Sequence, residues 1–266
     1  MFDTMTRTVF SLPELVDELL ILALVVACSV GLHAFLQRRF RTEVLQRHND
    51  VAGYLFSAVG VLYAVVLGFV VVVVWQKYDA TVSNVISEVD GGADLYHVMD
   101  GFPAATRDAV RSDVRGYARA LITKEWPAMD KNQDVPQAAA PMLEDMSYRI
   151  NIFQPRTMGE SNAQQAASAA VQRLFDARRE RLIRAAPSVP FVLWFALIAG
   201  GLSMLAFCVI FGVENRPAQL TMTAILMGLI GILFVVIYEF ATPFSGSVKI
   251  SADGWAFLQE RISQIR

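Results

Sequence analysis

Cysteine and charge are both scarce in this chain, and each shortage removes a class of function. The 2 cysteines, Cys28 and Cys208, both lie in apolar runs, so neither a disulfide frame nor a thiolate metal site is expected. Charged residues make up 18% of the sequence, below the usual share of soluble domains. The net charge of -2 offers nothing to nucleic acid. No nucleophile–base constellation, phosphate loop or cofactor motif occurs, so no catalytic residue, no cofactor and no enzyme activity is expected. Asp90, Asp94 and His97 fall at i, i+4 and i+7, but Gly91-Gly92 weakens that helix and no fourth ligand is in sight, so no metal is expected.

What is present is apolar length, since hydrophobic residues reach 55%. Gly53 to Trp75 carries no charge and is long enough to cross a bilayer as a helix. Its run Val70 to Val74 is β-branched, but the whole stretch is far too long for a strand. Gly53, Ser57, Gly60, Ala64 and Gly68 share one helical face, where small side chains permit close packing. That packing is expected either within one subunit or between subunits of an oligomer.

Three further spans are expected: Leu15 to Leu36 (Leu19 to Leu36 as its clean core, mildly interrupted by His33), Ser188 to Gly212, and Gln219 to Phe240. Asp3, Glu14, Asp17 and Glu18 precede the first against a single Arg7, the wrong balance for a secretion signal, so the span is read as retained. Glu239 is expected at the membrane interface. Between the spans, apolar periodicity persists past Trp75, at least to Gly91-Gly92. It recurs from Thr106 to Trp126, where Trp126-Pro127 is expected to end a helix. The expected architecture is an all-α membrane protein with four transmembrane helices. A helical extramembrane domain is built on an extension of the second span. The segments are 1–76 (first two spans and a basic loop), 77–187 (helical domain), 188–240 (third and fourth spans) and 241–266 (tail with an amphipathic Asp253 to Ile265). Arg38, Arg39, Arg41 and Arg47 in the first loop and Arg178 to Arg184 before the third span argue for opposite orientations, so sidedness stays open.

Several runs in order resemble one family. They are His48-Asn49-Asp50; Leu62-Tyr63-Ala64-Val65-Val66-Leu67-Gly68-Phe69; Trp75; Glu88; Tyr117; Glu125-Trp126-Pro127; Ala177-Arg178-Arg179; Arg181-Leu182; Pro190; Leu193-Trp194; and Pro243-Phe244-Ser245-Gly246. The chain resembles the bestrophin-like family of bacterial membrane proteins over nearly its whole length. One departure is Ala241, where the family pattern has an acid, so no carboxylate role carries over there. The resemblance implies a homo-oligomer, pentameric as bestrophins are, in a bacterial inner membrane. It implies an ion channel whose second span lines an apolar neck, with ions and lipids as partners.

On that expectation the pore-lining residues are Phe56, Val59, Leu62, Val66, Phe69, Val70 and Val73, which could gate by dewetting or could instead face lipid. Thr81, Asn84 and Glu88 recur on one face beyond them, and a ring of Glu88 carboxylates would favour cations, the alternative being a surface helix or an intersubunit ion pair. Arg107, Arg111, Arg115 and Arg119 form a stripe that is solvated, meets acids such as Glu88, Asp90 and Asp94, or attracts anions in a vestibule. Glu125 reads as a helix-end acid set by packing. The competing reading is a non-conducting membrane scaffold or sensor with a helical signalling domain.

Overall fold

The computed structural model describes residues 8–10, 12–38 and 46–264, with side chains from residue 15 onward. Arg7, Arg39 and Arg41, part of the expected basic segments, lie outside the described residues. The chain runs β1 (Thr8–Phe10), α1 (Leu12–Gln37), α2 (Asn49–Val98), a 3-10 turn (Met99–Gly101), α3 (Ala104–Ala120), a π turn (Leu121–Glu125) and α4 (Trp126–Asp130). It continues with α5 (Ala140–Ile152), α6 (Met158–Arg184), α7 (Phe191–Ile210), α8 (Arg216–Ala241), β2 (Val248–Ile250) and α9 (Asp253–Gln264). Two compact units form, one from the described residues of 11–77 and 188–241, the other from the described residues of 1–10, 78–187 and 242–266. The tail thus belongs to the same unit as 78–187, and α2 contributes residues to both.

The first unit holds α1, the apolar half of α2, α7 and α8. Each belongs to a stretch long and apolar enough to cross a membrane: Leu15–Gln37, Asn49–Gly101, Phe191–Ile210 and Arg216–Ala241. Tyr63, Leu67, Val70 and Val74 of α2 pack on Leu197, Met204 and Leu205 of α7 and on Met227, Ile230 and Ile237 of α8. The close approaches are made by glycines of the partner helices. A Cβ on Gly200 would run into the Tyr63 ring, whose hydroxyl donates to the Leu197 carbonyl at 2.9 Å. A Cβ on Gly231 of α8 would come within 2.6 Å of Leu22 of α1.

Several polar groups inside this unit find partners nearby, as a membrane interior favours. His33, the interruption in the first span, is fully buried with Nδ1 2.9 Å from Thr223 Oγ1. Asn49 spends its amide on both backbone groups of Gly212, at 2.8 and 3.0 Å. Gln219 donates to the Cys208 and Phe211 carbonyls and accepts from Gln37. Glu239, expected at the interface, is buried at the end of α8.

The second unit is built on the polar half of α2, which continues past Gly91-Gly92 to Val98. Those glycines do not weaken the helix enough to end it; a Cβ on Gly92 would sit 2.8 Å from the Trp255 ring of α9, so the position admits a close neighbour. Helix α3 buries Val110, Val114, Tyr117 and Ala118, at the spacing of one helical face. Trp126-Pro127 does not end the helical path. The chain widens into the π turn and restarts, with Pro127 in the first turn of α4, where its missing N–H costs little. The extra residue in that turn lets Leu121, Glu125, Trp126 and Met129 all face inward. The β1–β2 pair, antiparallel with Thr8↔Ile250 and Phe10↔Val248, is 3 residues long, below the length that leaves a strand signal in a sequence.

Candidate functional site

Two sets of residues concentrate the chemistry: the uncovered arc of α2 and a charged cluster in the core of the second unit. At about 100° per residue, Tyr63, Leu67, Val70 and Val74 point one way and Val61, Val65 and Val72 point the other. The latter three are 66%, 51% and 47% exposed, yet none belonged to the expected pore set. Leu62, Val66, Phe69 and Val73 of that set are exposed along one flank of this arc. Phe56, Val59 and Val70 turn toward the other spans of the chain. Phe56 meets Phe207 and Phe211 edge-on at 5.9 and 5.8 Å, Val59 packs on the core, and Val70 is buried in it. A list of apolar residues spaced three and four apart drifts around a 3.6-residue helix, and these three sit on the inward side of the drift.

The small-residue stripe makes little contact with the rest of the chain. A Cβ at Gly53 or Gly68 would meet nothing within 4 Å, and one at Gly60 only Met204 Sδ at 4.0 Å. Ser57, Ala64 and Gly68 are exposed on the flank opposite Leu62, Val66 and Val73. Within the chain, Gly200 and Gly231 are the glycines that admit close neighbours in the spans, because the large side chains they receive come from α2 and α1.

Glu88 is not on an open face. Its carboxylate is fully buried and accepts from Arg181 Nε at 2.8 Å, Arg181 Nη2 at 3.3 Å and the Tyr117 hydroxyl at 2.6 Å. Arg181 reaches on to Glu125 at 2.9 Å, and Arg178 binds the other oxygen of Glu125 at 2.8 Å. The Ala139 N–H also donates to Glu125 at 3.0 Å. The Arg181 guanidinium lies 4.9 Å from the Trp126 ring centroid, and Tyr117 stacks edge-on against Trp255 at 5.3 Å. Two acids and two arginines cancel, which is the condition for holding charge away from water. Burial pulls Arg181 toward losing its proton, but Glu88, Tyr117 and Glu125 outweigh this and hold it above the usual arginine range. Burial, then the Glu88 charge, push Tyr117 well above the usual phenol range.

A carboxylate ring at Glu88 is therefore corrected to an internal ion pair. The signal was legible in α6, whose buried stripe Ala167, Ala170, Val171, Leu174, Ala177, Arg178 and Arg181 places two arginines on an apolar face. Asn84 donates to the Ala177 carbonyl at 2.8 Å. The arginine stripe meets the end of α2 rather than Glu88, Asp90 or Asp94. Arg111 donates to the Tyr96 carbonyl at 3.0 Å and Asp100 at 2.9 Å and lies 4.4 Å over the Tyr96 ring. Arg115 reaches the Tyr96 hydroxyl at 3.4 Å, Arg107 pairs with Asp108, Arg119 is exposed, and Asp94 pairs with Arg173.

Four apolar spans and a helical unit on a prolonged second span define an all-α membrane protein. A model of the Bestrophin-like domain matches residues 23–254, and the chain belongs to that family. Glu88, Tyr117, Glu125, Arg178 and Arg181, which carried the resemblance one by one, meet in a single buried network. The fold is similar to that of a point variant of a bacterial bestrophin homologue from Klebsiella pneumoniae, at 14% identity with a TM-score of 0.68, covering 90% of this chain and 98% of that one. It is also similar to a point variant of a protein described only as a membrane protein, at 13%, 0.67, 90% and 96%. A further Klebsiella pneumoniae homologue, phased on zinc, gives 13%, 0.64, 88% and 95%. No curated protein matches the chain.

Proposed function

We propose that this protein is an oligomeric ion channel of bestrophin-like architecture in a bacterial inner membrane, with α2 lining its pore. Family membership supports the reading. The observation that carries it is the arrangement of α2, with one face on its own subunit, an apolar arc opposite, and two unlike flanks. In a ring, the flank with Leu62, Val66 and Val73 meets the small-residue flank with Ser57, Ala64 and Gly68 of the next copy. Opposite, complementary flanks are what a head-to-tail closed ring needs. Val61, Val65, Phe69 and Val72 then surround the axis as a greasy constriction that gates by dewetting. Residues 78–187 stand outside the bilayer on one side. There the stripe of Arg107, Arg111 and Arg115, offset in part by Asp108 and Asp100, supplies a basic field that attracts anions.

The test is reconstitution in planar bilayers. Val65→Ser is expected to wet the constriction and raise conductance, whereas Val70→Ser, inside the subunit core, lowers stability without that effect. Arg111→Gln is expected to shift the reversal potential toward cations. Rings that pass no current under any ion or voltage would instead favour a non-conducting scaffold or sensor.

A further inference from the structure

A crevice of about 290 Å³ opens between α1, α7 and α8, all within the first unit. Glu18, Leu22, Val25, Trp194, Phe234 and Tyr238 line it. Its two ends differ. Val25 and Gly231 lie near the middle of their helices. Glu18, Trp194 and Tyr238 lie at the starts of α1 and α7 and near the end of α8, which the up-and-down order of the spans puts on the same membrane side. The deep end is wholly apolar. The shallow end gathers an indole, a phenol and a carboxylate, the side chains suited to the headgroup boundary. Gly231 keeps the base open: a Cβ there would displace Leu22.

Among the lining residues Glu18 carries the only charge, and Asp17 beside it is exposed. The crevice therefore offers a negative rim above a slot that water would not fill and hydrocarbon would. We infer that it binds one acyl chain of a phospholipid whose head group bears a primary ammonium, with Glu18 facing that ammonium. This holds whether or not the protein conducts.

Trp194 provides the readout, since it lines the slot and is held edge-on by Phe234 at 6.2 Å. With Trp75→Phe, Trp194 is the remaining tryptophan in the spans; Trp126 and Trp255 are buried in the other unit. The full chain is placed in phosphatidylcholine vesicles containing increasing fractions of lipid with brominated chains. Brominated phosphatidylethanolamine is expected to quench Trp194 half-maximally at about fivefold lower mole fraction than brominated phosphatidylcholine or phosphatidylglycerol, a difference of about 1 kcal/mol. Glu18→Gln should erase the difference while leaving quenching itself. Val25→Phe, which fills the slot, should weaken quenching by all three. Equal quenching by every head group, or a preference that survives Glu18→Gln, would overturn the assignment. So would a Trp194 that no brominated chain reaches, which would mean a second copy covers the crevice.

Discussion

Replacing Glu88 by glutamine separates the buried network from a pore carboxylate. The change keeps the side chain's size but removes one negative charge from a cluster of two acids and two arginines. Arg181 loses its two-pronged partner, and an amide N–H₂ is turned toward its guanidinium; the Tyr117 hydroxyl loses a charged acceptor. Breaking one side of a fully buried pair costs about 3–5 kcal/mol, because the remaining charge stays away from water. For a chain of this size that corresponds to a fall in Tm of roughly 10 °C. Thermal unfolding of the purified protein, followed by tryptophan fluorescence, reads the effect, since Trp126 and Trp255 both touch the network. Adding Arg181→Met should recover part of the loss, because Glu125 and Arg178 still balance each other. A Glu88→Gln protein with wild-type stability, above all one with altered cation/anion permeability, would falsify the enclosed ion pair and return Glu88 to an aqueous pathway.

Three further outcomes are expected. Gly200→Val should drive a side chain into the Tyr63 ring and destabilise the packing of α2 on α7 by about 1–3 kcal/mol, read as a lower melting temperature in detergent. Stability should decline as pH rises above about 10, where the unfolded chain gives up the Tyr117 proton that the folded chain retains; below that pH the contribution is fully present. Tyr117→Phe should flatten that alkaline slope in denaturant titrations, and an unchanged slope would remove Tyr117 as its source. Gly68→Leu should leave the subunit's own packing intact, since nothing lies within 4 Å, yet should shift the oligomer distribution seen by native mass spectrometry if the small flank is an intersubunit contact.

The sequence by itself determined the four spans, the prolonged second helix and the helical character of what lies between the second and third spans. These depend on composition and on a 3.6-residue period, which are properties of one segment at a time. The amphipathic segment after Asp253 was legible for the same reason, and its Trp255 lies in the core. Direction was not legible. Small residues line one flank of α2 and large apolar residues the other, but apolar side chains run all round the helix, so its pattern could not say which side turns inward. Phe56 and Val70 point inward, and Val61, Val65 and Val72 outward, because glycines on α7, more than a hundred residues away, receive Tyr63. Likewise Glu88 and Arg181 lie 93 residues apart. The apolar spacing of α6 placed Arg181 on an inward face, but Glu88 read as a pore-facing charge on its own helix, and only the tertiary structure decided that the two neutralise one another, because the free energy of a buried charge is set by the partner the fold brings to it.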